Sequence, residues 1–197
     1  MIQNLDRSGY FGASDTKKVM AKNRNTATWD DWWKVKTGER QADMIGNVYT
    51  RAGTMYEHPI LKTIDEDMIL DGQIIYEKYK IRVNYDGYKD GVIYECKTHR
   101  AKNEFTVTKD YWMQCQVEMF VYQELCSEWF LPGFQKLILV NYPLHDNEYE
   151  VLEGQVEVYE KRIQMQEIEY DKGWIKAEYL PKVKELARAL KKNKRPL

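Results

Sequence analysis

Cysteine and histidine are scarce in this chain of 197 residues, with three of each. Cys96, Cys115 and Cys126 are odd in number and show no Cys-x-x-Cys spacing. That excludes a disulfide framework and a cysteine-ligated zinc or iron–sulfur site, and the thiols read as reduced, in a cytoplasmic protein. His58, His99 and His145 are scattered, so no histidine-based metal centre is expected. No stretch approaches the roughly 20 apolar residues of a membrane helix. The opening residues Met1 to Asp6 lack the basic and apolar regions of a secretory signal. A Gly-x-x-x-x-Gly-Lys-Ser/Thr loop is missing, and with it a built-in ATPase motor. There is also no excess charge of one sign, since 30 Lys and Arg face 31 Asp and Glu. This balance does not announce a polyanion partner and does not forbid one, because an acidic metal site offsets basic patches in the sum. The charge is uneven: Lys191-Lys192-Asn193-Lys194-Arg195 makes a strongly basic run near the end.

What is present suits a packed fold. Hydrophobic residues are 43% and charged residues 31%, enough for one domain with a sizeable core. No repeat or low-complexity linker divides the chain, so 1–197 is expected to be a single domain with a short basic tail from about 191. Ser14 reads as the cap of a short helix 15–22, and Thr28 as the cap of a second helix 29–36 ended by Gly38. A longer helix is expected over 42–64, weakened by Gly53 and Pro59. The pattern then switches to Ile-, Val- and Tyr-rich strands at 73–79, 80–86 and 92–98. Thr108 caps an expected helix 109–126, Pro132-Gly133 turns, and 136–141 reads as a buried strand. Edge strands are expected at 148–151 and 155–159, the run 163–170 alternates less cleanly, and a last helix spans 171–192 with Pro181 kinking it. The class is α/β, a mixed central sheet flanked by helices.

The chemistry concentrates between Val83 and Lys97. Side chains two apart on a strand share a face, so Glu95 and Lys97 point together and Cys96 points away. A hairpin turning at Lys89-Asp90-Gly91 brings Asp86 near Glu95. Two carboxylates and an ammonium at one point can hold Mg²⁺ through oxygen ligands, with the main-chain carbonyl of Cys96 completing the set, and place a water beside it. Lys97 serves the attacking water or the phosphate charge. Glu57 on the long helix reaches the same metal from the opposite wall, and Gln114, one turn into the next helix, orients the water or the lysine.

Five blocks in this order resemble the PD-(D/E)xK nuclease superfamily, within it the phage lambda exonuclease / YqaJ-type viral recombinase family. They are Gly12-Ala13-Ser14, Gly53-Thr54-Met55-Tyr56-Glu57, Asp86-Gly87, Glu95-Cys96-Lys97 and the run Tyr111 to Met119 with Gln114 and Gln116. The resemblance runs from about Gly9 to Leu190 and implies a restriction-endonuclease-like core. It implies Asp86, Glu95 and Glu57 at a Mg²⁺ site that also admits Mn²⁺, Lys97 as catalytic lysine, Gln114 as supporting glutamine, and Ser14 on a terminal 5′-phosphate. Where the family's end-binding arginine is expected this chain has Tyr10, which leaves Arg7, Lys17, Arg100 and Lys102 as candidates for that contact. The implied activity is a 5′→3′ exonuclease on double-stranded DNA ends in phage-type recombination, encoded by a phage or prophage and acting in the bacterial cytoplasm. A ring of three subunits and a single-strand annealing partner follow by the same likeness. A restriction-type or structure-specific endonuclease on this core, and a non-catalytic DNA-binding module, are the rival readings.

Overall fold

A computed structural model of the chain describes residues 8–41, 47–128, 136–150, 155–192 and 196. A 3₁₀ turn, Ala13–Asp15, leads into α1 (Thr16–Val19), followed by α2 (Ala27–Thr37) and α3 (Val48–Ile64). Strands β1 (Ile69–Tyr76), β2 (Ile81–Lys89) and β3 (Val92–Arg100) come next, then α4 (Lys109–Glu128) and β4 (Lys136–Leu144). The chain closes with β5 (Gln164–Glu169), α5 (Lys172–Trp174), a π-helical turn Ile175–Tyr179, and α6 (Leu180–Lys191).

The strands lie in the order β1-β2-β3-β4-β5. Every neighbouring pair is antiparallel except β3 and β4, which run parallel with α4 as their crossover. A parallel pair needs such a crossover, whereas a tight turn suffices for β2 and β3. That turn is Asp90-Gly91, with φ of 48° and 84°, closing Lys89 on Val92. Two left-handed residues match the twist of the strands, and glycine takes this conformation without strain.

The sheet separates two apolar layers. On one face α3 packs Ala52, Tyr56, Ile60 and Leu61 against Cys96, Val140, Tyr142 and Leu144. On the other, α4 lays Cys115 and Met119 on Ile93, Leu137 and Leu139. Its far side meets Trp29 and Trp33 of α2 and Val183 and Leu186 of α6. Helix α4 is thus enclosed on both sides. This explains why its buried set spreads over consecutive residues rather than one stripe. Gln116 serves that enclosure: its amide donates to Glu169 O at 2.8 Å and accepts from Asp171 N at 2.6 Å.

Several boundaries differ from the sequence reading. Thr26, not Thr28, caps α2, its hydroxyl accepting the Trp29 N–H at 3.2 Å; Thr28 lies inside the helix. Ser14 caps nothing. It sits within the 3₁₀ turn, where the Gly12 N–H is taken by the Asp15 carboxylate at 2.7 Å. Asp15 in turn pairs with the buried Lys36 at 2.5 Å and accepts from Trp32 Nε1 at 2.8 Å, so it ties the turn to α2. Of the expected helix 42–64, residues 42–46 lie outside the described residues; α3 starts after Asn47, whose side chain caps it, and runs through Gly53 and Pro59 without a break. Pro132-Gly133 also lies outside the described residues. No edge strand forms at 155–159, and 146–148 is a 3₁₀ turn. Side chains hold this segment instead: Tyr159 N donates to the Tyr142 hydroxyl at 3.1 Å, and Arg162 clamps Glu148 at 2.8 and 3.0 Å. The irregular run 163–170 is the edge strand β5, with only Ile168 buried. Its Glu167 and Glu169 discourage further pairing. The terminal helix carries its irregularity at the π turn ahead of Pro181, a wide turn that accommodates a residue lacking an N–H.

Candidate active site

The site forms where the sheet opens. Strands β2 and β3 pair at Lys89–Val92, Tyr88–Ile93 and Gly87–Tyr94, and the ladder stops there. The next pair is Asp86 and Glu95. Asp86 replaces the lost ladder bond with its side chain, its Oδ2 accepting the Cys96 N–H at 2.7 Å. Beyond the fork β3 keeps pairing with β4 through Arg100, which fixes Glu95 and Lys97 in register with Leu139 and Asn141.

Glu95 is the hub. It is 2% exposed. Its Oε1 accepts from the Lys97 ammonium, two residues along the same face. The same oxygen accepts from Gln114 Nε2 of α4 at 2.6 Å. Its other oxygen, Oε2, is buried and has no partner among the described residues. Lys97 also stands 5.7 Å from the centre of the Tyr111 ring, a weak cation–π contact.

The electrostatics show an excess of acid. Burial, then the charges of Glu95 and Glu57, push the Asp86 carboxyl well above its usual range. Burial, then Glu95, raise Glu57 to about 7, with His58 and Lys97 offsetting part of the effect. Burial opposes the charge on Lys97, but Glu95 and Asp86 outweigh it and hold the ammonium above its ordinary pKa. One lysine therefore balances a group of acids that repel each other.

The residues fit a divalent cation. A fully buried carboxylate oxygen without a hydrogen-bond partner, beside acids that resist ionising together, is the donor set a hard cation satisfies. Asp86, Glu95 and Glu57 could supply oxygen ligands, with the Cys96 main chain against Asp86, while the group whose ligating atoms all lie within 4.8 Å of one another among the described residues is Glu57, His58 and Asp71.

The expected end-binding residues do not join this cluster as one group. Ser14 is exposed in its 3₁₀ turn. Lys17 pairs with Asp110 at 2.7 Å, at the start of α4. Arg100 ends β3 with its guanidinium 4.6 Å from the Tyr49 ring centre, and Lys102 is exposed in the turn that follows. Arg7 lies outside the described residues.

Sequence reasoning passed over Glu118, Asn141 and Asp71, and set His58 aside. Glu118 is completely buried one turn beyond Gln114 and accepts from its Nε2 at 3.0 Å. Asn141, 3% exposed, stands in register with Lys97 on β4. Asp71 and His58 are 3.0 Å apart, and their ligating atoms and that of Glu57 all lie within 4.8 Å of one another. His58, which the sequence reading set aside as a metal ligand, thus stands in a group with two carboxylates. Asp71 faces Asp86 in the β1–β2 register, between the pairs Leu70–Gly87 and Gly72–Tyr85, and adopts φ of 58°. An acid in apolar helix spacing at 118 was the one signal that pointed to Glu118.

No family model and no curated protein matches the sequence. Solved structures do match the fold. The alkaline exonuclease LHK-Exo of Laribacter hongkongensis superimposes with a TM-score of 0.64 at 20% identity, over 95% of this chain and 90% of that one. The same enzyme in complex with dAMP gives the same figures. A phage-related exonuclease of Haemophilus somnus gives 0.56 at 16% identity, over 93% of this chain and 92% of that one. The mixed sheet with flanking helices is the fold of these exonuclease structures.

Proposed function

We propose that the chain is a Mg²⁺-dependent deoxyribonuclease, a 5′→3′ exonuclease acting on double-stranded DNA ends. The observation that carries this reading is the gathering of Lys97 and Gln114 on Glu95, with Asp86 on the Cys96 N–H beside it, at the fork between β2 and β3. The shared fold with LHK-Exo and the phage-related exonuclease supports it.

Asp86, Glu95 and Glu57 would hold the cation, with the Cys96 carbonyl beside them. A bound Mg²⁺ polarises the phosphodiester and lowers the pKa of water. Lys97 keeps its proton at neutral pH, so it acts on the anionic phosphate oxygens and orients the water rather than serving as a free base. Gln114 holds Glu95 through its nitrogen. The Tyr111 ring shields one side of Lys97 from solvent. Ser14 and one of Arg7, Lys17, Arg100 and Lys102 contact the 5′-phosphate. A homo-oligomer, a ring of three by resemblance, keeps the duplex captured without ATP. The setting is phage-type recombination in a bacterial cytoplasm, with a single-strand annealing protein taking the product strand.

Linear duplex with 5′-phosphate, linear duplex with 5′-hydroxyl and supercoiled plasmid, each with Mg²⁺, Mn²⁺ or EDTA, test the reading. The 5′-phosphorylated linear duplex is expected to be degraded fastest, the plasmid to survive, and EDTA to stop the reaction. Cutting of the closed plasmid identifies an endonuclease, and no cutting of any substrate with either metal rejects the hydrolase.

A further inference from the structure

One buried acid takes no part in the mechanism above. Glu118 is 0% exposed on α4, and its Oε2 has no partner among the described residues. Its Oε1 accepts from Gln114 Nε2 at 3.0 Å, while the same nitrogen donates to Glu95 Oε1 at 2.6 Å. A primary amide has two N–H donors and one carbonyl oxygen. Here both donors are committed, one to each acid. Turning the amide over would set its oxygen against Glu95 Oε1 and remove the N–H that this oxygen accepts, so the observed orientation is favoured. Gln114 Oε1 is left directed away from both acids. It makes no hydrogen bond with a described residue, and Gln114 is half-buried rather than enclosed.

We propose that Glu118 is a positioning residue: it locks the Gln114 amide so that its nitrogen holds Glu95 and its oxygen accepts a hydrogen bond from the attacking water. The assignment rests on the hydrolytic reading of the site. With an apolar residue at 118 the second N–H loses its acceptor and the amide can rotate between two states. Packing alone does not call for an acid there, because a buried ionisable group is usually outdone by an apolar one of equal volume. A proton on Glu118 Oε2 leaves Oε1 free to accept, so a neutral Glu118 can still form the lock.

Glu118→Gln and Glu118→Met test the proposal. Gln keeps a carbonyl oxygen in place; Met keeps the volume and removes the acceptor. In ¹H–¹⁵N spectra of the metal-free protein, Gln114 gives a side-chain NH₂ pair identified by its loss in Gln114→Met. Both of its protons are expected to exchange slowly in wild type and in Glu118→Gln, and one is expected to reach the free-amide position and exchange fast in Glu118→Met. On linear duplex with Mg²⁺, kcat of Glu118→Met is expected to fall about 100-fold with KM within twofold, the scale of a misplaced positioning group. Glu118→Gln is expected to rescue it to at least a third of wild type. Thermal melts confirm that the compared proteins are folded. Unchanged Gln114 amide signals in Glu118→Met overturn the proposal whether or not DNA is cut. Loss of activity in Glu118→Gln as deep as in Glu118→Met also overturns it, because the acceptor alone would then not suffice. If Glu118→Met does not fold, the spectra and kcat of Glu118→Gln decide. Wild type inert on every DNA rejects the hydrolytic reading and leaves the amide result standing.

Discussion

Glu57→Gln should make the metal-free protein more stable, and only above a certain pH. Burial and the neighbouring Glu95 raise the Glu57 pKa from 4.5 to about 7. The folded protein therefore holds this proton more tightly than the unfolded chain. The cost of ionising Glu57 is absent below pH 4.5, grows through the interval to about 7, and is complete above it. At about 1.4 kcal/mol per pH unit the shift corresponds to roughly 3 kcal/mol at pH 8, as an upper figure. Glutamine keeps the shape and cannot ionise. For a chain of this size 1 kcal/mol moves Tm by about 2–4 °C, so Glu57→Gln should melt up to about 6–12 °C above wild type at pH 8 in EDTA, and within about 3 °C of it at pH 5. Saturating Mg²⁺ should then lift wild type more than the variant and narrow the gap, because the cation binds the ionised acid and not the amide. Thermal unfolding by circular dichroism across pH 5–8.5, with EDTA and with Mg²⁺, measures all of this. A variant less stable than wild type at pH 8 in EDTA, or a gap that does not change with pH, refutes the account of Glu57 as an acid strained by its neighbours.

Three other outcomes follow from the same geometry. Lys97→Met is expected to lower the rate of duplex hydrolysis by about 10²–10³-fold while binding of the duplex in Ca²⁺ stays within twofold, measured by single-turnover digestion and anisotropy. Gly72→Ala places a methyl 1.6 Å from the Tyr85 ring, which lies opposite it on β2, so that ring must leave its place. About 2 kcal/mol should be lost, and shortening Tyr85 to Leu in the same protein should restore part of it, as denaturant titration would show. Trp29→Ala empties a site 1% exposed, where the ring stacks 5.5 Å from Trp33 and its Nε1 donates to Lys18 O at 3.0 Å. A loss of about 3–5 kcal/mol is expected from urea titration with activity per folded molecule unchanged.

Much of the architecture was legible in the chain. The switch from helical to strand patterning after Ile64, the Asp90-Gly91 turn and the apolar run from Leu137 each rest on local chemistry that survives in the fold. The alternation that sets Glu95 beside Lys97 is a property of any strand. Errors fell where side chains replaced backbone partners. The segment 155–159 looked extended enough for a strand, but Tyr142 and the Arg162–Glu148 clamp hold it instead. Thr28 was read as the cap of α2, whereas Thr26, with its extended backbone, fills the role. Asp15 was read as an ordinary first-turn acid, whereas its partners Lys36 and Trp32 lie far along the chain.

The sequence by itself determined the strand–turn–strand that carries Asp86, Glu95 and Lys97, because periodicity and turn chemistry act over a few residues. Only the tertiary structure decided that the ladder parts at Asp86, that Glu118 and Gln114 reach Glu95 from α4, and that Asp71 and His58 come up beside Glu57. Those are contacts between segments distant in sequence, and burial and long-range charge, which set their energies, exist only once the layers have packed.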